Sequence, residues 1–302
     1  MAIMIPVRSI LAAVDFSDPS RVALDFAARL ASQSRAALHV LYVLDPLLSA
    51  AADAHGIDLS RESREELERF TATIDAARGR TPLQYHVITG RGTATICDIA
   101  VRERADLIVM GMRGMSGASH ALFGSTTEGV LRHSDVPVFA IPESWAAPHP
   151  DARDLSGMGP VVAAIECSEP AIAAAAAACQ LAKSLGTSVS AVHVVPELNV
   201  LDRWGGHAQA AIDAAMVRAR RELEPVLAGL NAGVEIPLRV DSGSVPERLA
   251  LAVAPQAGEH PILVLGRHIR GSRRGAPGAT TYRVLGMTRA PVLMHCLPED
   301  QA

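Results

Sequence analysis

The feature of this sequence that most constrains its fold is an internal repeat. The segments 11–19 and 162–170 read LAAVDFSDP and VAAIECSEP, and they start 151 positions apart. Further blocks recur at offsets of 151 to 155, namely 41–43 with 192–194, 92–93 with 243–244, 106–111 with 261–266, and 136–138 with 290–292. Because the offset stays nearly constant, we interpret the 302 residues as a tandem duplication that folds as two similar domains.

A segment without periodicity separates the two copies. Residues 142–160 are rich in Pro, Gly, Ala and Asp, and this composition is typical of an exposed linker. We therefore predict a first domain over residues 1–143, a linker over residues 144–158 and a second domain over residues 159–302.

Strands and helices alternate along the first copy. Apolar runs predict strands at 7–14, 38–44, 83–89, 107–110 and 136–141. Helical periodicity and N-cap residues predict helices from Ser17 to about residue 32 and over 60–78, 93–104 and 125–133. Continuous apolar strands that alternate with helices favour a doubly wound α/β fold, in which helices cover both faces of a parallel sheet.

Composition excludes several functional classes. Acidic residues (32) outnumber basic residues (28), and neither half is basic, which argues against nucleic-acid binding. No apolar run approaches the roughly 18 residues of a membrane-spanning helix, and the N-terminus lacks the pattern of a secretory signal. The four cysteines form no CxxC pair and have no zinc-finger spacing, so we predict reduced thiols in a cytoplasmic protein that does not contact a membrane.

The residues that can carry chemistry lie where the predicted strands end, which is where doubly wound sheets bind ligands. Asp15 ends the first strand, and its carboxylate can accept hydrogen bonds from a ribose or a base. Gly111 ends the fourth strand and opens a GxxG motif that closes at Gly114. After nine more residues, 124–127 read GSTT and start a helix, whose N–H groups and hydroxyls favour phosphate. Together these features predict a nucleotide pocket.

The pattern GxxG-x9-G(S/T) resembles that of the universal stress protein family. The resemblance extends to residues 14–17 (VDFS), 105–111 (ADLIVMG) and 128–133 (EGVLRH), and it covers both halves of the chain. It implies two tandem, Rossmann-like domains, each with a five-stranded parallel sheet in the order 3-2-1-4-5.

The ATP-binding branch of this family implies a specific set of contacts. Adenine and ribose would lie against the ends of the first two strands, at Ala13, Val14, Asp15 and Val43. The phosphates would lie on Gly111, Gly114, Gly124, Ser125 and Thr126, with Met110, Arg113 and Thr127 beside them. The implied ligand is ATP, with or without Mg²⁺. A structural alternative stays open, in which the glycines only form a tight turn and Ser125 caps the helix.

The second copy departs from this pattern. Glu166 stands at the position of Asp15, and its longer side chain would intrude on a ribose. Ile269 stands where the second glycine of the motif would be, and Ala279 replaces Ser125. We therefore expect a degenerate site in the second domain and one nucleotide for each chain.

Three functions are compatible with these features. The first is a non-enzymatic, ATP-binding stress protein whose nucleotide occupancy biases loop order or dimer state for an unidentified protein partner. The second is a slow ATP hydrolase, which is disfavoured because the P-loop motif GxxxxGK[ST] is absent. The third is a ligand-free dimerisation or scaffold module. We expect the first of these functions, carried out by a homodimer that has no catalytic residues and no metal ligands. We also expect His39 to pack in the sheet without a functional role.

Overall fold

The computed structural model describes residues 7–72, 74, 83–113, 124–197, 205–230, 233, 235–254, 258–267 and 279–296. These residues form two compact units, whose boundary in the sequence lies between Gly157 and Met158. We refer to the unit before this boundary as domain 1 and to the unit after it as domain 2. No helix in these ranges is both long and apolar enough to cross a membrane.

Domain 1 is an α/β domain in which every pair of neighbouring strands is parallel. Its elements are β1 Ser9–Val14, α1 Asp18–Ser34, β2 Ala37–Leu44, α2 Pro46–Ala54, α3 Leu59–Ala72, β3 Leu83–Thr89, α4 Gly92–Arg102, β4 Leu107–Gly111, α5 Ser125–His133 and β5 Val138–Ile141. The strands lie in the order β3-β2-β1-β4-β5. This is the predicted doubly wound fold, and its strand order reverses between β1 and β4.

The start of α1 follows from its sequence. Ser17 is the N-cap, its hydroxyl accepts the backbone N–H of Ser20, and a proline occupies the first turn. Further along α1, Phe26 is fully buried, and its ring centroid lies 4.9 Å from that of Phe139 in β5 and 5.2 Å from that of Trp145. This aromatic cluster holds α1 against the sheet.

Helix α2 is not predicted by the sequence pattern. Leu47 and Leu48 are exposed, so this helix has no amphipathic pattern of buried apolar residues. An N-terminal signal is nevertheless present, because Asp45 precedes a proline and its carboxylate accepts the N–H groups of Leu47 and Leu48.

The other elements of domain 1 lie close to their predicted positions. The bounds of β3 and α5 are those predicted from the sequence. The helix predicted over 60–78 is observed as Leu59–Ala72, and residues 73 and 75–78 lie outside the described residues.

The segment predicted as an exposed linker over 144–158 follows β5, and although many of its residues are exposed, part of it packs on α1. Trp145 and Leu155 are buried, and the N–H of Leu155 donates to the side chain of Gln33. The guanidinium of Arg29 donates to three backbone carbonyls, those of His149, Pro150 and Ala152. Composition alone could not predict this, since one distant arginine satisfies the carbonyls of a segment that has no regular structure.

Domain 2 repeats the architecture of domain 1. Its elements are β6 Val161–Ala164, α6 Glu169–Leu185, β7 Val189–Pro196, α7 Gly205–Gly229, β8 Leu238–Gly243, α8 Val245–Ala252, β9 Ile262–Arg267, α9 Ala279–Met287 and β10 Val292–Cys296. The strands are parallel and lie in the order β8-β7-β6-β9-β10. The predicted strand order is therefore present in both halves.

His295 in β10 is expected to make stability depend on pH. Its side chain is buried, and its Nδ1 has no hydrogen-bond partner among the described residues. Burial lowers the pKa of His295 from 6.5 to about 4. Between these two pH values the unfolded chain binds a proton that the folded chain does not bind. The free energy of unfolding should therefore fall on acidification, by up to about 1.4 kcal/mol for each pH unit.

Urea denaturation at pH 7 and at pH 5 measures this dependence. His295→Leu should lose less stability on acidification than the unsubstituted chain, because residue 295 then no longer titrates. His133→Leu, at an exposed histidine of α5, serves as the control and should retain the full dependence. Equal losses in His295→Leu and the unsubstituted chain would contradict the prediction.

Candidate functional site

A cavity of about 550 Å³ opens at the C-terminal ends of β1, β2 and β4. It adjoins the point where the strand order reverses, and its volume is typical of small-molecule sites. It is lined by Ala13, Val14, Asp15, Ser20, Leu41, Tyr42, Val43, Asp45, Gly92, Ile96, Met110, Gly111, Arg113, Gly124, Ser125, Thr126 and Thr127. Eleven of the twelve predicted site residues are among them, and the twelfth, Gly114, lies outside the described residues.

Asp15 is fixed by the turn that joins β1 to α1. Its Oδ1 accepts the hydroxyl of Ser17 and, at 3.1 Å, the backbone N–H of the same residue. The hydroxyl of Ser20 donates to the carbonyl of Ser17 at 2.9 Å and accepts the N–H of Asp15 at 3.3 Å. Phe16, between them, has a left-handed φ of 63°, which is uncommon for a residue other than glycine. The turn therefore holds the carboxylate in one orientation at the cavity.

Aromatic side chains support the same turn. The ring centroid of Phe16 lies 4.4 Å from that of Tyr42 and 5.5 Å from that of Phe70, and the guanidinium of Arg21 lies 4.1 Å from the Phe70 centroid. Burial and, to a lesser extent, the negative charge of Asp15 raise the pKa of Tyr42 above its usual value. The phenol of Tyr42 therefore keeps its proton near pH 7 and can donate a hydrogen bond.

The absence of a side chain at Gly111 lets β4 pass close to α1. A Cβ at this position would lie 2.9 Å from the carbonyl oxygen of Pro19 and 3.0 Å from its carbonyl carbon. The buried hydroxyl of Thr127 donates to the carbonyl of Gly111 at 2.9 Å, and the N–H of Gly124 donates to the carbonyl of Met112 at 3.1 Å. These two bonds tie the start of α5 to the end of β4.

Helix α5 presents its N-terminus to the cavity. Gly124 is the N-cap, so the alternative in which Ser125 caps the helix is wrong. No described side chain caps this helix, and Ser125, Thr126 and Thr127 of its first turn all line the cavity. The N–H groups of a first turn need acceptors, and they carry a partial positive charge. This end of the cavity is suited to an anion such as phosphate.

Six lining residues are missing from the predicted set, namely Ser20, Leu41, Tyr42, Asp45, Gly92 and Ile96. The rule that ligands bind at strand ends selects Asp15, and it would also have selected Asp45 after β2 and Gly92 after β3. Leu41 and Ile96 are apolar, and nothing in the sequence distinguishes them from core residues.

Domain 2 keeps one packing contact of this site. A Cβ at Gly266 would lie 2.5 Å from the carbonyl oxygen of Pro170, which repeats the contact between Gly111 and Pro19. The glycine near the end of the strand is thus needed in both domains for the approach of a helix, whatever either domain binds.

The chemistry of domain 2 differs at the remaining described positions. The carboxylate of Glu166 accepts a hydrogen bond from the hydroxyl of Ser168 at 3.0 Å. This repeats the bond between Asp15 and Ser17 in domain 1, but the side chain of Glu166 is one methylene longer than that of Asp15. His193, at the position of Tyr42, contacts the carbonyl of Ile165 through Nδ1 at 2.8 Å. The predicted departure at position 269 lies outside the described residues.

Comparison with known proteins gives the same family for both halves. The model of the universal stress protein family matches residues 6–142 and again residues 158–295. A universal stress protein of Mycobacterium tuberculosis is 27% identical over 325 residues, which cover 97% of this chain and 96% of the relative. A universal stress protein of Mycolicibacterium smegmatis is 26% identical over 299 residues, which cover 94% of this chain and 96% of the relative.

Solved structures share the fold over the full length. A universal stress protein from Archaeoglobus fulgidus superposes with a TM-score of 0.68 at 22% identity, and the match covers 97% of each chain. A protein of unknown function from Pseudomonas aeruginosa has a TM-score of 0.62 at 18% identity and covers 97% of this chain and 94% of its own. Likeness at these identities concerns the fold alone.

Proposed function

Since the chain belongs to the universal stress protein family, we propose that the cavity of domain 1 binds an adenine nucleotide, specifically ATP. The protein would then act as a regulatory nucleotide-binding protein and not as an enzyme. One observation carries the proposal, which is that a single cavity combines apolar walls, a fixed carboxylate and an uncapped helix N-terminus.

The apolar walls and the carboxylate suit a nucleoside. Ala13, Val43 and Ile96 are among the apolar residues that line the cavity where a purine ring would lie. Asp15 is held in place by Ser17 and would accept hydrogen bonds from ribose hydroxyls.

The β4–α5 end of the cavity suits the phosphates. The first turn of α5 supplies N–H groups together with the hydroxyls of Ser125 and Thr126, and Arg113 adds a positive charge. A bound nucleotide would bridge α5 and the β1–α1 turn and would stabilise domain 1 by mass action. We propose this stabilised state as the signal that a partner protein recognises.

The described lining residues favour binding over catalysis. They include two carboxylates, and both accept hydrogen bonds from the protein itself. Asp15 accepts from Ser17, and Asp45 caps α2. Efficient phosphoryl transfer also needs a positioned base and several cations. We therefore propose at most slow hydrolysis, with any Mg²⁺ carried in on the phosphates.

The stoichiometry of bound nucleotide tests the proposal. The purified chain is denatured, and the released nucleotide is identified and quantified by chromatography. We expect one adenine nucleotide for each chain, and we expect ATP added at about 100 times its Kd to stabilise the protein by about 2.7 kcal/mol. Two nucleotides for each chain would contradict a degenerate second site. No released nucleotide together with no binding on titration would refute the proposal.

Asp15→Asn tests the assignment of the site. The amide keeps the size of the side chain and an oxygen that can accept from Ser17, but it removes the negative charge. Loss of a charged hydrogen bond is worth about 1.5–3 kcal/mol, so the Kd for ATP should rise about 10- to 100-fold by calorimetry. Glu166→Gln, at the equivalent position of domain 2, is the matched control and should leave the Kd unchanged. Equal affinities in both variants would refute the site assignment.

A further inference from the structure

Three potential metal ligands lie together in domain 1, outside the nucleotide cavity. They are His39 in β2, His86 in β3 and Glu103, the C-cap residue of α4. Each offers one ligand atom, and these three atoms lie within 4.8 Å of one another. None of the three residues lines the cavity. This cluster, which we call the His39–His86–Glu103 triad, is not used in the proposed function.

The sheet register brings the two histidines together. His39 pairs with Gln84 and Leu41 pairs with His86, so the histidines are diagonal neighbours on adjacent parallel strands. Side chains two residues apart on a strand share a face, which places both imidazoles on the same side of the sheet. Their ring centroids lie 5.2 Å apart at an interplanar angle of 23°. The Nδ1 of His39 lies 3.0 Å from the Nε2 of His86.

The backbone at Glu103 is held by two hydrogen bonds. Its N–H donates to the carbonyl of Ile99 at 2.9 Å, and its carbonyl accepts the hydroxyl of Ser9 at 3.4 Å. Its carboxylate accepts the Nε of Arg102 at 3.0 Å, in an ion pair at the protein surface. Exposed pairs of this kind contribute little to stability, so the carboxylate can leave this partner at small cost.

We propose that His39, His86 and Glu103 bind a divalent first-row transition metal ion, with Zn²⁺ as the best match. Two imidazole nitrogens and one carboxylate oxygen form a ligand set that Zn²⁺ uses in proteins, with water in the fourth position. Nitrogens that share a tetrahedral Zn²⁺ are about 3.3 Å apart, given bonds of about 2.0–2.1 Å. The two imidazole nitrogens need to separate by only a few tenths of an ångström from their 3.0 Å distance.

The surroundings of the triad agree with this assignment. Burial lowers the pKa of both His39 and His86, so both rings are neutral near pH 7 and each has a lone pair to offer. His39 is buried, whereas His86 and Glu103 are partly exposed, which leaves a route for the ion from solvent. The titratable and charged groups that influence the pKa of His86 are Glu103, His39, Arg102 and Arg64.

A hydrogen bond between the two imidazoles is the alternative explanation of their short distance. Titration with metal distinguishes this explanation from a metal site. The full chain is treated with a chelator, exchanged into buffer and titrated with ZnCl₂ alone by calorimetry. We expect saturation at one Zn²⁺ for each chain. His86→Ala should raise the Kd for Zn²⁺ at least about 100-fold, and Glu103→Gln about 10-fold or more, because loss of even an outer partner of a metal site costs this much.

His55→Ala removes an exposed histidine at the end of α2 and is the matched control, for which we expect an unchanged Kd. Thermal unfolding without zinc checks that each variant folds, and ATP affinity should be the same in all of them. Glu103→Gln is partly exposed and keeps its backbone bonds, so it remains informative if a histidine variant does not fold. Absence of zinc binding, or an unchanged Kd in either His86→Ala or Glu103→Gln, would overturn the three-ligand site.

Discussion

Phe26→Ala is expected to lower the free energy of unfolding of domain 1 by about 3–5 kcal/mol, the usual cost of truncating a buried phenylalanine. The Phe26 side chain is 0% exposed and lies in the aromatic cluster with Phe139 and Trp145. Its removal would leave a cavity between α1, β5 and the segment that follows β5. Close packing of the surrounding protein interior limits how far this space can collapse.

Urea denaturation followed by tryptophan fluorescence measures this effect. The chain has two tryptophans, so the measurement is made in a Trp204→Phe background, in which Trp145 is the only reporter. Leu47→Ala is the control, because Leu47 is 82% exposed and its truncation should change stability by no more than about 0.5 kcal/mol. Equal unfolding free energies for Phe26→Ala and Leu47→Ala would show that the cluster does not stabilise domain 1.

Gly111→Ala is expected to impair both stability and nucleotide binding. The added methyl group would lie 2.9 Å from the carbonyl oxygen of Pro19, a backbone atom that can yield only if the start of α1 moves. Overpacking of this kind costs about 1–3 kcal/mol. Movement of α1 would also displace the turn that fixes Asp15, so we expect the Kd for ATP to rise at least about 10-fold, as measured by calorimetry.

Two other glycines provide controls for this substitution. Gly229→Ala adds a methyl group to α7 where, among the described residues outside the helix's own backbone, no atom lies within 4 Å, and it should be neutral or slightly stabilising. Gly266→Ala creates the equivalent overlap with Pro170 in domain 2, so it should reduce stability without changing ATP affinity. If Gly111→Ala leaves both stability and affinity unchanged, the close approach of β4 to α1 is not a constraint.

Sequence predicts the fold well where pattern and packing agree. Each apolar run predicted as a strand in domain 1 is a strand. Strands β1, β4 and β5 are buried almost throughout, and such burial on both faces leaves few alternatives. Prediction from the sequence fails where a residue far away in the chain determines the local structure. Helix α2 buries almost nothing, and the segment near His149 is held by Arg29, which lies 120 residues earlier in the sequence.

The candidate site is predicted in the same uneven way. Asp15 and the start of α5 have local signals, a carboxylate at a strand end and a helix preceded by glycine, and both line the cavity. The identity of the ligand stays a prediction. His39 and His86 are 47 residues apart in the sequence, and their proximity depends on the register of β2 and β3, which no local pattern encodes. From sequence alone, the prediction for His39 is therefore only that it packs in the sheet.

The contact made by Gly111, and repeated by Gly266, has a consequence for evolution after duplication. A copy that loses its ligand is released from selection on the residues that bind it, yet substitution of this glycine would still force a helix away from its strand. The glycine should therefore persist in copies that bind nothing. Its presence in a sequence reports a packing constraint, whereas Asp15 and the GSTT start of α5 are the positions at which loss of binding would first be visible.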